Sequence, residues 1–116
     1  MMNAARFAVG VQGIGVSEAA TQKAIAYARD RVQSRAVEGS AGPVAIIKHP
    51  DVQRMLMTMR GLTQAARAIA CMAAAVDDLS EEHPDEAVRK TNQALYEYLV
   101  PVVKGFSTEC SLEVSS

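Results

Sequence analysis

Between Val52 and Ala73 the positions Val52, Met55, Leu56, Met59, Leu62, Thr63, Ala66, Ile69, Ala70 and Ala73 recur every three or four residues. That spacing stacks side chains on one face of an α-helix. A period sustained this long is incompatible with a strand and calls for a partner surface to cover the stripe. Pro50 and Asp51 open the run: proline fits the first helical position, where its missing N–H is not needed, and an early carboxylate complements the helix dipole.

Two further helices flank this one. From about Asn3 to about Gln33 the chain is Ala-rich, with Phe7, Val11, Ile14, Ile25, Ala28 and Val32 on one stripe. After an acidic turn at Asp77 to Glu82, Pro84 and Asp85 repeat the start signal, and Val88, Leu95, Leu99, Val102, Phe106 and Cys110 mark the last helix. We therefore predict an all-α fold of three long up-down helices, at about 3–33, 50–78 and 84–113, within the single domain that 116 residues allow. Six Met, no Trp and 4% aromatics agree with a helical bundle. Pro101 falls inside the last helix and should cost one ladder hydrogen bond and kink it. The stretch from Arg35 to Pro43 reads as a loop, long for a small bundle. The last helix reaches Ser116 without a glycine stop or a basic final turn, which leads us to expect that the natural polypeptide continues.

Net charge is −1, so no global attraction to nucleic acid or an anionic membrane exists. The apolar stretch after Arg6 ends at Ser17 and Glu18, too soon for a signal-peptide core or a membrane span, and a soluble cytoplasmic chain is expected. Cys71 and Cys110 lack any CxxC or Cys/His spacing, which predicts two reduced thiols in apolar surroundings and no metal site.

Four constellations carry potential chemistry. The glycines of GVQGIG lack the upstream strand of a dinucleotide-binding turn and are read as a place where another helix presses close. Met55 and Met59 share the apolar stripe and are assigned to core filling. His49-Pro50-Asp51 and His83-Pro84-Asp85 resemble the HPD loop of J-domain co-chaperones, but Pro and Asp already do what a helix start requires. Arg29, Arg31 and Arg35, with Gln33 among them, fit two readings. One is a cationic helix end complementing the dipole; the other is an anion site, because guanidinium forks and amide donors suit phosphate.

The run RFAVGVQGIGVSEAATQKAIAYARDRVQ, Arg6 through Gln33, together with GPVAIIKHPDVQRMLMTMRGLTQAARAIA and LVPVVKGF, resembles the C-terminal helical domain of acyl-CoA dehydrogenases. The family pattern there is an Arg, a glycine-punctuated Ala-rich helix and then YAxERxQFG. The resemblance covers essentially the whole chain and implies a four-helix bundle of which these residues supply three helices, the final one missing. It implies FAD as cofactor, with Arg31 and Gln33 reaching the FAD pyrophosphate of a partner subunit and Arg6 lying near the flavin. It further implies an acyl-CoA substrate, an electron-transfer flavoprotein as partner, and a homo-oligomer.

Departures accompany it. QFG is replaced by Gln33, Ser34 and Arg35, and His49 and Pro50 stand where many members carry a flavin-touching Gln. The usual catalytic glutamate follows a glycine-rich loop that these residues do not include; in members with the base on the first helix, Arg6 occupies about its place. No catalytic residue is assigned, and by itself the chain is expected to be inactive. A three-helix bundle lacking its fourth wall should expose an apolar stripe and self-associate. The rival expectation is a free-standing helical interaction module, such as an HPD-type co-chaperone adaptor.

Overall fold

The computed structural model describes residues 2–116. Helix α1 spans Met2–Asp30, strands β1 and β2 span Val32–Arg35 and Pro43–Ala45, and a 3-10 turn at Ile46–Lys48 leads into helix α2, Pro50–Glu82; helix α3 spans Glu86–Ser115. The helices run up, down and up again. Glu18 meets Arg67 and Thr21 meets Thr63, so α2 is antiparallel to α1, while Gly10 abuts Val103 and Gly13 abuts Ser107, so α3 is parallel to α1.

Helix α3 is the hub, packing extensively on both other helices, whereas α1 and α2 meet over a thinner contact. Its inward face is Tyr96, Leu99, Val100, Val103, Ser107, Cys110 and Val114. These pack on Ala66, Ala70, Ala73 and Val76 of α2 and on Ile14 of α1, with Phe7, Ile69 and Phe106 at the margin. Alanines on α2 let the helix axes approach, and the valines of α3 fill the space between. Helix α3 continues through Pro101, whose side is exposed while its neighbours Val100 and Val103 are fully buried.

The buried face of α1 is Gly10, Gly13, Ile14, Ser17, Thr21 and Ala28. This corrects the expected stripe, because Val11 and Val32 point outward. The reason is steric. A Cβ on Gly13 would stand 2.7 Å from the Ser107 carbonyl oxygen, and one on Gly10 would stand 2.7 Å from Val103 Cγ1. The two backbones touch, so large aliphatics are excluded from the contact and Ser17 and Thr21 turn their hydroxyls back onto the carbonyls of Gly13 and Ser17. The close-packing reading of the glycines holds for Gly10 and Gly13; Gly15 faces open space.

Other sequence expectations shift for the same kind of reason. Leu95 and Val102 of α3 and Met55 of α2 are exposed, so Met55 does not fill the core. Cys110 is buried, and burial, with Glu113 and Glu109 adding to it, raises its thiol pKa; Cys71 is exposed. The two HPD copies occupy different positions in their helices. Pro50 is the first residue of α2, following His49 as N-cap. Pro84 instead lies before the cap, and Asp85 is itself the N-cap of α3, its Oδ1 accepting the Ala87 N–H at 2.9 Å.

Among the described residues one ion pair ties α1 to α2: Arg67 Nη2 donates to Glu18 Oε2 at 2.9 Å. Gln22 donates to the other carboxylate oxygen at 2.8 Å. Hydrogen bonding from Gln22 first, and from Arg67 next, holds the Glu18 carboxyl below the usual carboxylate range. A carboxyl whose folded pKa is depressed stabilises the fold above its unfolded value, and that contribution is lost as pH falls through the folded one. Denaturant midpoints measured through the acid range should therefore fall less steeply for Glu18→Gln than for the native chain; parallel curves would remove Glu18 from the account.

Candidate functional site

Helix α1 ends one residue before Arg31, whose N–H still bonds to the Tyr27 carbonyl at 2.8 Å. The next carbonyl partner is no longer helical. Ile46 N–H donates to the Arg31 carbonyl at 2.8 Å, so the chain leaving α1 is caught by the segment returning to α2. Residues 32–35, placed in the helix or at the loop's edge by sequence, instead form β1 and pair antiparallel with β2. The expected loop is thus a hairpin whose tip turns at Gly39, φ +94°, with Ser40 Oγ accepting the Ala36 N–H and donating to the Gly42 carbonyl.

The register is irregular. Val32 pairs with Ala45 and Arg35 with Pro43, so Gln33 and Ser34 together face the single residue Val44. This is a β-bulge. Ser34 carries its signature, a left-handed φ of +59° that is uncommon outside glycine, asparagine and aspartate. His49 closes the arrangement. A carbonyl can only accept, so the 2.7 Å contact between His49 Nε2 and the Gln33 oxygen is an Nε2–H donor bond. Gln33, Ser34, Ile46, His49 and Val52 line an open cleft of about 340 Å³ beside the bulge.

Arg31 and Gln33 lie two residues apart at the exit of α1, and both are exposed. Among the described residues neither side chain takes part in an ion pair or hydrogen bond, and the same holds for Arg29 and Arg35. Arg29 lies in the last turn of α1, where it complements the dipole. Arg31 and Arg35 lie beyond the helix, so the dipole reading does not account for them. Arg6 is elsewhere. It is exposed near the start of α1, roughly 37 Å from Arg31 at 1.5 Å per residue, and the two cannot serve one phosphate group within a single copy of the chain. Sequence reasoning missed the bulge and the bond from His49, which it met only as part of a helix-start tripeptide and as a departure from the family pattern with no role of its own.

A second concavity lies past the end of α3. Ala20, Ala24, Met55, Met59 and Leu62 form its walls and Val114 to Ser116 its end, enclosing about 560 Å³ of largely apolar groove rimmed by Lys23 and Arg54. Among the described residues no group of three or more His, Cys, Asp or Glu comes together, and no helix is long and apolar enough to cross a membrane.

The chain matches the family model described as acyl-CoA dehydrogenase, C-terminal domain, over residues 1–114. It is 55% identical over its whole length to the 3-methylmercaptopropionyl-CoA dehydrogenase of Ruegeria pomeroyi, covering 20% of that protein. It is 32% identical to a butyryl-CoA dehydrogenase of Syntrophomonas wolfei over 94% of the chain and 18% of the relative. A broad-specificity linear acyl-CoA dehydrogenase of Mycobacterium tuberculosis is 31% identical over 90% of the chain and 18% of its own length. The chain spans about a fifth of the length of these relatives. Nothing among these similarities or in the fold favours a co-chaperone adaptor. With the family model matched nearly end to end and three helices arranged as an all-α bundle wall, the chain belongs to the acyl-CoA dehydrogenase family, as the C-terminal domain.

Proposed function

We propose that this domain serves an FAD-dependent enzyme that dehydrogenates an acyl-CoA thioester between its α and β carbons. The observation that carries the reading is the pair of exposed, uncommitted side chains of Arg31, just past the end of α1, and Gln33, on the bulge that follows. Diphosphate recognition calls for a guanidinium fork and amide donors that no neighbouring carboxylate has already neutralised. Arg31 would grip the FAD diphosphate bound to a partner subunit, with Gln33 donating beside it. Arg6, at the other end of α1, would lie near a flavin ring, which requires a different copy of the chain or of the cofactor. When bound, FAD supplies the hydride acceptor of the dehydrogenation.

The residues here bind and orient; none is a general base. Proton abstraction from the α-carbon needs a poised carboxylate, and Arg6, always cationic, cannot supply it. Electrons would leave to an electron-transfer flavoprotein, in the cytoplasm. The apolar groove between α1 and α2 would take the remaining bundle helix, and the 116-residue chain alone would self-associate through it.

The test is anaerobic addition of an acyl-CoA series, including butyryl-CoA and 3-methylmercaptopropionyl-CoA, to the complete flavin-loaded dehydrogenase carrying this domain. Loss of the oxidised flavin absorbance with at least one thioester is expected. A protein that purifies without flavin and takes none up, or whose flavin no thioester bleaches, would overturn the proposal.

A further inference from the structure

Among the described residues, His49 is the side chain at the α2 entrance that hydrogen-bonds to β1, at the carbonyl of the peptide that the bulge has turned. The φ of Ser34 sets the orientation of the Gln33–Ser34 peptide, and at +59° that peptide stands in a region an L-residue leaves unless something holds it. Besides the β1–β2 pairing at Val32–Ala45 and Arg35–Pro43, two hydrogen bonds hold it. The Ile46 N–H fixes the Arg31 carbonyl and His49 Nε2–H fixes the Gln33 carbonyl, at 2.8 and 2.7 Å. They bracket the segment that carries both Arg31 and Gln33.

His49 is in turn held from the helix it opens. Its N–H donates to the Ile46 carbonyl at 3.0 Å and its carbonyl accepts from Gln53 N–H at 3.0 Å, while Gln53 Nε2 donates to the Ile47 carbonyl at 3.0 Å. The imidazole is therefore anchored at a fixed point of the bundle. Its side chain does not cap α2, so helix formation does not explain its orientation. Without the Gln33 bond the pairing could slide by one residue toward an unbulged register, and such a slip turns a strand's side chains to the opposite face.

We propose that His49 is a positioning residue for diphosphate binding: it locks the Gln33–Ser34 bulge and thereby aims Gln33 relative to Arg31. This rests on the flavin reading above, and it adds a residue to which the sequence pattern gave no role at the cofactor.

The experiment compares the native chain with His49→Ala, His49→Gln and the double variant His49→Ala/Ser34→Gly. Amide exchange at Ile46, whose N–H holds the Arg31 carbonyl, should rise about tenfold in His49→Ala, the effect of losing one neighbouring hydrogen bond. Exchange of helix amides around Ala70 and Val103 should stay unchanged. His49→Gln restores an N–H donor and Ser34→Gly removes the cost of the left-handed φ, so both should bring the rate back. Ring nitrogen shifts of His49 in the native chain should report the Nε2–H tautomer at high pH. In the flavin-loaded dehydrogenase, His49→Ala should lower FAD retention and His49→Gln recover it. Unchanged exchange in His49→Ala, or an Nδ1–H tautomer, overturns the proposal. Loosened exchange with undiminished FAD retention also overturns it, provided Arg31→Ala does lose flavin. If Arg31→Ala keeps flavin as well, the diphosphate reading itself fails, and the role assigned to His49 fails with it.

Discussion

Replacing Gly13 by valine is expected to destabilise the domain by about 3 kcal/mol, the upper end of what overpacking a tight contact costs. The contact leaves no soft way out. The atoms a Cβ would strike are the Ser107 carbonyl oxygen at 2.7 Å, its carbon at 3.0 Å and the Thr108 nitrogen at 3.3 Å, all backbone, so α1 and α3 must separate to make room. Separation strips Ile14, Val100 and Val103 of neighbours along the best-buried part of the core. Gly15, two residues on, has nothing within 4 Å of the same position, and Gly15→Ala should stabilise by about 1 kcal/mol through helix propensity alone. Thermal unfolding followed by far-ultraviolet circular dichroism reads both: a fall of more than about 10 °C for Gly13→Val against a rise for Gly15→Ala. Equal, small shifts at the two positions would mean that the helices do not touch backbone to backbone.

The second large effect concerns binding. In the complete dehydrogenase, Arg31→Ala should weaken FAD retention about 100-fold, because a bidentate guanidinium contributes two charge-assisted hydrogen bonds to a diphosphate. Arg31→Lys should recover only part of this, since an ammonium is a point charge without the planar fork. Neither change should alter unfolding of the 116-residue chain, where Arg31 is exposed and unpaired among the described residues. Equilibrium dialysis of flavin against the variants separates the outcomes. Retention equal to the native enzyme would remove Arg31 from the cofactor site.

The legibility of this fold in its sequence follows from which forces leave a periodic trace. Helix α2 was readable because burying Ala66, Ala70 and Ala73 on one stripe requires their recurrence at helical spacing, whereas on α3 the expected stripe met the buried face only at Leu99 and Cys110, the true face running one residue on through Tyr96, Val100, Val103 and Ser107. The buried face of α1 was misread for the opposite reason. Close approach selects residues for what they lack, so Gly10, Gly13, Ser17 and Thr21 go inward while Val9, Val11 and Val16 go outward, and a search for large aliphatics selects the wrong side. Strands of four and three residues interrupted by a bulge have no alternation to detect. The candidate site was readable only in part. Guanidinium and amide chemistry marked Arg31 and Gln33, but the bond from His49 depends on a register sixteen residues away in sequence, which no local pattern encodes.

The shape carries a dynamic consequence. With principal extents of 67 × 22 × 16 Å and a radius of gyration of 19.4 Å, against about 13 Å for a compact chain of this length, a single copy is a rod about three times longer than wide. Its three helices run along that rod, so their N–H bonds lie near its long axis and are reoriented mainly by slow end-over-end tumbling, whereas N–H bonds inclined to that axis also sense the faster rotation about it. Nitrogen relaxation in a single copy would therefore sort amides into two rotational classes by bond direction alone. Short transverse relaxation times along α1 to α3 would then reflect hydrodynamics and must be separated from exchange before any motion is assigned to the bulge.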